Sequence, residues 1–196
     1  LRGPIAEALS DRLGEVTLGD PRLQAVGMGA LAGAGQKQDV LGTCALFADE
    51  ARCIIGGEAP RLTGEGLDGG ARVAPTIFDC ADPDAATHLH EKEAFGPVAC
   101  LMPYRDADHA ALLANRGGGA LVTSVVTRDA ALAHQFVAAS ASHHGRLYFN
   151  NRDSMAEATG HGSPLPHMVH GGPGRAGGSE ELGGIRAVKH YMQRTA

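Results

Sequence analysis

The sequence predicts an α/β fold, a mostly parallel sheet with flanking helices, on three observations. Apolar strand-like runs alternate with runs at helical spacing through the middle of the chain. Aspartates stand where two of those helices should begin, and glycine clusters stand where elements should end. "ALVTSVVT" is nearly all apolar or β-branched, as expected of a strand covered on both faces. At 196 residues the chain fits one domain or a large piece of one.

The elements follow in order. Ile5, Leu9, Leu13 and Val16 recur at three-to-four spacing and predict an opening helix, broken at Gly19 and Pro21. A second helix is expected over Gln36 to Phe47, with Val40, Leu41, Cys44 and Phe47 inward. "RCIIGG" reads as a short strand, and "RVAPTIFDC" as another in which Pro75 forces an edge or a bulge. "PVACLMPY" is a third strand. Asp106 caps a helix that Gly117 to Gly119 terminate. After "ALVTSVVT", Asp129 caps the next helix and "GRLYFNN" is a strand with a polar end. Residues 152–178 keep no period and read as a long functional loop. A short helix over "SEELGGIRAV" and a closing strand over 188–194 complete the reading.

Composition excludes several classes. Lys plus Arg is 17 against 22 for Asp plus Glu, a net charge of −5 with no basic stripe, which argues against a nucleic-acid partner. No apolar run is long enough to span a membrane, and no signal peptide opens the chain. Cys44, Cys53, Cys80 and Cys100 show no CxxC spacing and read as reduced, mostly buried thiols of a cytoplasmic protein. Tryptophan is absent and aromatics are 4%, so the core is expected to be mainly Ala, Val, Leu and Ile. The start at "LRGPIAEAL", without methionine, reads as a chain cut from something longer.

"HEKEAFGPVAC", residues 90–100, carries the chemistry. A carboxylate can accept hydrogen bonds from sugar hydroxyls, a ring offers an apolar face, and Gly-Pro fixes the turn before a strand. That describes a ligand edge. It equally describes a capped surface turn whose Phe tucks into the core.

Glu93-Ala94-Phe95-Gly96-Pro97-Val98 resembles the E-x-F-G-P-V motif of the NAD(P)-dependent aldehyde dehydrogenases. "VGMGALAGAGQKQDVL", "YFNN" and "HGGPGRAGGSEELGGIRAVKHYMQRT" resemble further segments of that family, so the likeness covers essentially the whole chain. The last segment is most similar to the branch forming the dehydrogenase half of the bifunctional ring-opening proteins of phenylacetate degradation. The resemblance implies that residues 1–196 are the C-terminal portion of an aldehyde dehydrogenase catalytic domain. It implies NAD or NADP as cofactor, a small-molecule aldehyde linked to CoA as substrate, and a homo-oligomer in which strand 188–194 makes contacts.

By the same resemblance Glu93 holds the ribose hydroxyls beside nicotinamide, and Phe95 packs against the nicotinamide end. Gln36 matches a cofactor-approaching glutamine. Three residues on, Asp39 stands where some relatives carry lysine, which departs from the pattern. Asn150 matches a strand-end asparagine expected to hold the following loop. His170 takes the place of a tunnel phenylalanine; it either makes the mouth polar for a CoA substrate or caps a glycine turn. Arg175 is a candidate contact for CoA phosphate. The family's cysteine nucleophile forms a thiohemiacetal that passes hydride to nicotinamide, and a glutamate activates water. Both groups lie N-terminal to the matching segment, so no catalytic residue is expected here and the isolated chain is expected to be inactive.

Two rivals remain from other classes. One is a non-catalytic structural fragment. The other is a metallohydrolase using some of the ten histidines, although none has HExxH spacing or a cysteine pair beside it.

Overall fold

The computed structural model describes residues 1–57, 61–67, 70–158 and 171–177, with Ile185, Val188, Lys189 and Met192. The chain divides into two units, Leu1–Pro103 and Tyr104–Ala196.

The first unit opens with α1 (Arg2–Gly14), followed by β1 (Leu18–Gly19) and α2 (Ala34–Ala48). It continues with β2 (Arg52–Ile55), β3 (Leu62–Thr63), β4 (Thr76–Asp79), α3 (His88–Glu91) and β5 (Val98–Leu101). β1 pairs parallel with β3. The main sheet has the order β2-β4-β5, antiparallel between β2 and β4 and parallel between β4 and β5. Its core lies where α2 crosses β4. Val40 and Phe47 from the helix and Ile77 and Phe78 from the strand are buried, with the Phe47 and Phe78 rings edge to face at 5.8 Å. The buried apolar residues are mainly Ala, Val, Leu and Ile, as expected, with Phe47, Phe78 and Phe136 among them.

Several expectations change. α1 forms but ends at Gly14, not Gly19, and buries none of its residues; Ile5 is exposed. Residues past Gly14 leave the helix because Leu18 and Gly19 pair with β3, and the Gly19 N–H donates to Met28 O. In α2, Val40 and Phe47 are buried as expected, but Leu41 is exposed and Cys44 half-buried. β4 is the central strand, not an edge. Pro75 lies one residue ahead of it, so its missing N–H costs the ladder nothing, and the irregular register falls on β2 between Cys53 and Ile55.

The second unit runs α4 (Ala107–Asn115), β6 (Ala120–Val126), α5 (Ala130–Ser140) and β7 (His144–Asn150). Both caps hold: Asp106 accepts from His109 N, and Asp129 from Ala131 N and Leu132 N. β6 and β7 pair parallel. β6 is not covered on both faces; none of its residues is buried, and Leu121 and Val126, on opposite faces, are exposed. A β-branched run fixes strand propensity, whereas the number of covered faces depends on what packs against it. In the long loop, residues 155–157 and 174–176 form short 3₁₀ turns. Val188 and Lys189, expected in a closing strand, are helical. Met192 N donates to their carbonyls, which closes a helical turn with groups a ladder would need. The rest of that strand, and the "SEELGGIRAV" helix apart from Ile185 and Val188, lie outside the described residues.

Candidate functional site

The bend at 92–97 is built by the elements around it. α3 ends at Glu91, and Lys92 leaves it in extended backbone. The helix is seated by Glu50, whose carboxylate accepts the N–H groups of Thr87, His88 and Leu89 at 2.8–3.0 Å. Burial pushes the Glu50 carboxyl up, but these three donors and the nearby His88 outweigh it, and the net shift is downward. Beyond the bend, Pro97 O accepts from Thr76 N at 2.8 Å, which sets β5 in register beside β4.

Between these anchors Phe95 has φ of 48°, the single positive φ outside glycine among the described residues. A bulky residue there costs about 1–3 kcal/mol and persists only where the surroundings over-determine it. They do. Gln36 Nε2 donates to Phe95 O at 2.6 Å, while Gln36 Oε1 accepts from Ala32 N at 2.9 Å. Gly96 packs on fully buried Val40; a Cβ on Gly96 would stand 2.8 Å from Val40 Cγ2. The backbone of the bend is fixed, and its side chains point out. Phe95 is 70% exposed, so the turn whose Phe tucks into the core is excluded. Glu93 is exposed, and its carboxylate has no hydrogen bond or ion pair among the described residues.

The structure thus brings Glu93, Phe95 and Gln36 together. Both ends of the Gln36 amide are committed to backbone, so it braces the bend. Neither Ala32 nor Val40 was visible in the sequence as a support. The signal available was glycine after the aromatic, which marks a close approach.

In the second unit, Arg175 lies against the glycine turn before β6. Its Nη1 donates to Gly117 O at 3.2 Å and its backbone N to Gly118 O. His170 lies outside the described residues. Asn150 does hold the following loop, its Oδ1 accepting from Asn151 N and from Ser154 Oγ at 2.6 Å.

Burial pushes Cys44 and Cys80 up, and Cys100 to about 11, which keeps these thiols protonated. Cys53 is exposed, and its thiol donates to Ile55 O. The buried histidines are in structural contacts. His90 Nε2 meets Pro83 O, His109 Nδ1 accepts from Arg105 N, and His144 lies between Asn115 and Thr123. Among the described residues no three metal-ligating side chains converge.

A model of the aldehyde dehydrogenase family matches residues 3–196. The chain belongs to the aldehyde dehydrogenase family. Protein MaoC of Klebsiella aerogenes is 52% identical over 170 residues, covering 86% of this chain and 49% of that protein. The 3,4-dehydroadipyl-CoA semialdehyde dehydrogenase of Aromatoleum evansii is 36% identical, covering 86% of this chain and 33% of that protein. Among solved structures, betaine aldehyde dehydrogenase of Staphylococcus aureus, in complex with NAD+, superposes with a TM-score of 0.77. It does so at 21% identity over 97% of this chain and 35% of its own. PnpE from Pseudomonas sp. WBC-3 gives 0.77 at 25% identity. The chain therefore spans about half the length of one of these relatives and about a third of the others. The expected aldehyde dehydrogenase-like α/β fold is the one observed.

Proposed function

We propose that this chain is the C-terminal part of the catalytic domain of an NAD(P)-dependent aldehyde dehydrogenase. Its substrate is a CoA-linked semialdehyde, oxidised to the acid in phenylacetate-type aromatic catabolism. Family membership supports the reaction class, and the relative named as a CoA-semialdehyde dehydrogenase supports the substrate class. One observation carries the local reading: Glu93 and Phe95 stand exposed on a backbone locked by Gln36, Val40 and Thr76.

These residues fit a dinucleotide. The Glu93 carboxylate, without a partner among the described residues, accepts hydrogen bonds from ribose hydroxyls, and the Phe95 ring gives the adjoining base an apolar face. Gln36 keeps both in place. When bound, the nicotinamide supplies the hydride acceptor. The nucleophile and the water-activating base come from outside this segment, as the resemblance to the family implies. His170 and Arg175 are assigned to the substrate end, and the assembled enzyme is a cytoplasmic homo-oligomer.

Replacing Glu93 with Gln in the encoded gene product tests the reading. The loss of a charged hydrogen bond should weaken NAD+ binding about tenfold by titration. Unchanged affinity would remove Glu93 from the site. The isolated chain, given aldehyde and NAD+, should produce no reduced nicotinamide; measurable turnover would overturn the assignment of nucleophile and base elsewhere.

A further inference from the structure

The first unit carries a second recess that uses none of Glu93, Phe95 and Gln36. It lies beside α2, β2 and β4 and encloses about 500 Å³, within the range of about 300–1,000 Å³ usual for small-molecule sites. Leu41, Val73 and Phe78 give it an apolar lining, and among the described residues its two charged lining residues are Lys37 and Arg72, both cations.

Neither cation is well satisfied. Lys37 Nζ has one long contact, 3.5 Å to Gly70 O. Arg72 Nη1 donates to Leu67 O at 3.0 Å, but its Nε is shielded from solvent and has no hydrogen-bond partner. A shielded donor without an acceptor is uncommon in native structures and calls for an explanation. Asp20, whose charge Arg72 influences, is already committed to Arg22 through Nε and Nη2 at 2.6–3.0 Å. The recess therefore offers an ammonium and a guanidinium beside apolar walls.

We propose that this recess binds a small organic anion, a carboxylate bearing a short apolar tail. The Arg72 guanidinium and the Lys37 ammonium take the two carboxylate oxygens. Leu41, Val73 and Phe78 cover the tail. A bare phosphate would leave that lining wet, and a neutral alcohol would leave both cations unpaired.

The cysteines supply the readout, because Cys44 and Cys53 line the recess whereas Cys80 and Cys100 do not. Iodoacetamide labelling of the full chain is followed site by site by mass spectrometry, with octanoate as the probe. At about ten times its Kd, octanoate should slow Cys53 labelling about tenfold and leave Cys100 unchanged. Octan-1-ol and inorganic phosphate should protect far less. R72M and K37M should each remove the protection, with far-UV circular dichroism checking the fold; if R72M does not fold, K37M, on the surface of α2, decides. Equal protection by phosphate or octan-1-ol, no slowing with octanoate, or protection surviving in the folded variants would each overturn the proposal.

Discussion

Two glycine-bearing turns, each leading into a parallel strand, do opposite things. In the first unit, residues 93–97 precede β5; in the second, Gly117–Gly119 precede β6. The first turn fills the space beside it with a side chain, Val40 under Gly96, and braces its backbone through Gln36. Its own side chains are left for something else to meet. The second turn is met by backbone: Gly119 lies against the Pro173 carbonyl and Gly174 against the Gly118 carbonyl. Arg175 then closes it through Gly117 O and Gly118 O. Glycine permits both turns. Whether the neighbour is a side chain or a peptide decides whether the turn presents a site or seals a junction.

The comparison can be broken at the junction first. Gly119→Ala drives a Cβ into Pro173 O at φ of 123°, where alanine is itself strained. The expected loss is about 3 kcal/mol, read as a lower denaturant midpoint with the β6–β7 amides exchanging faster. No loss would mean that residues 173–175 are not held there.

Gln36→Leu sharpens the other side. It removes two hydrogen bonds and should cost about 1–2 kcal/mol, while cofactor affinity falls because Phe95 is no longer held. Gln36→Glu keeps the acceptor for Ala32 N and loses the donor to Phe95 O. It should weaken cofactor binding with a smaller drop in Tm. Affinity that tracks Tm in both variants would reduce Gln36 to a purely structural residue.

The smallest effect is a pH dependence confined to the second unit. Burial, with repulsion from His143, holds His144 below its ordinary 6.5. Asn115 Nδ2 donates to Ala139 O, which leaves its Oδ1 to accept from His144 Nε2, while Thr123 Oγ1 meets Nδ1. The fold favours neutral imidazole, so the unfolded chain takes up the proton first. The contribution is complete above about pH 6.5 and is lost as pH falls from there toward the folded value. Urea midpoints measured across that range should slope in the parent and flatten in His144→Gln; parallel slopes would assign the titration to another group.

Legibility followed range. Asp106 and Asp129 were readable as caps because their partners lie within three residues. The Glu93–Pro97 motif was readable because its residues adjoin. Gln36 was readable as a residue of interest, but its bond to Phe95 was not, since Phe95 lies 59 positions away. Leu41 illustrates the same limit. It follows buried Val40 and keeps helical spacing with Cys44, yet stands exposed on the side of α2 that borders the recess.

The sequence by itself determined the helices of the middle region, their caps, most of the strands and the bend that carries Glu93 and Phe95. These depend on backbone torsions and hydrogen bonds between near neighbours. Tertiary structure alone decided that β4 is central, that β6 is not covered on both faces, that the Gln36 amide braces the bend, and that Arg72 and Lys37 line one recess. Each of those depends on which distant groups occupy the adjacent space, and local spacing carries no record of that.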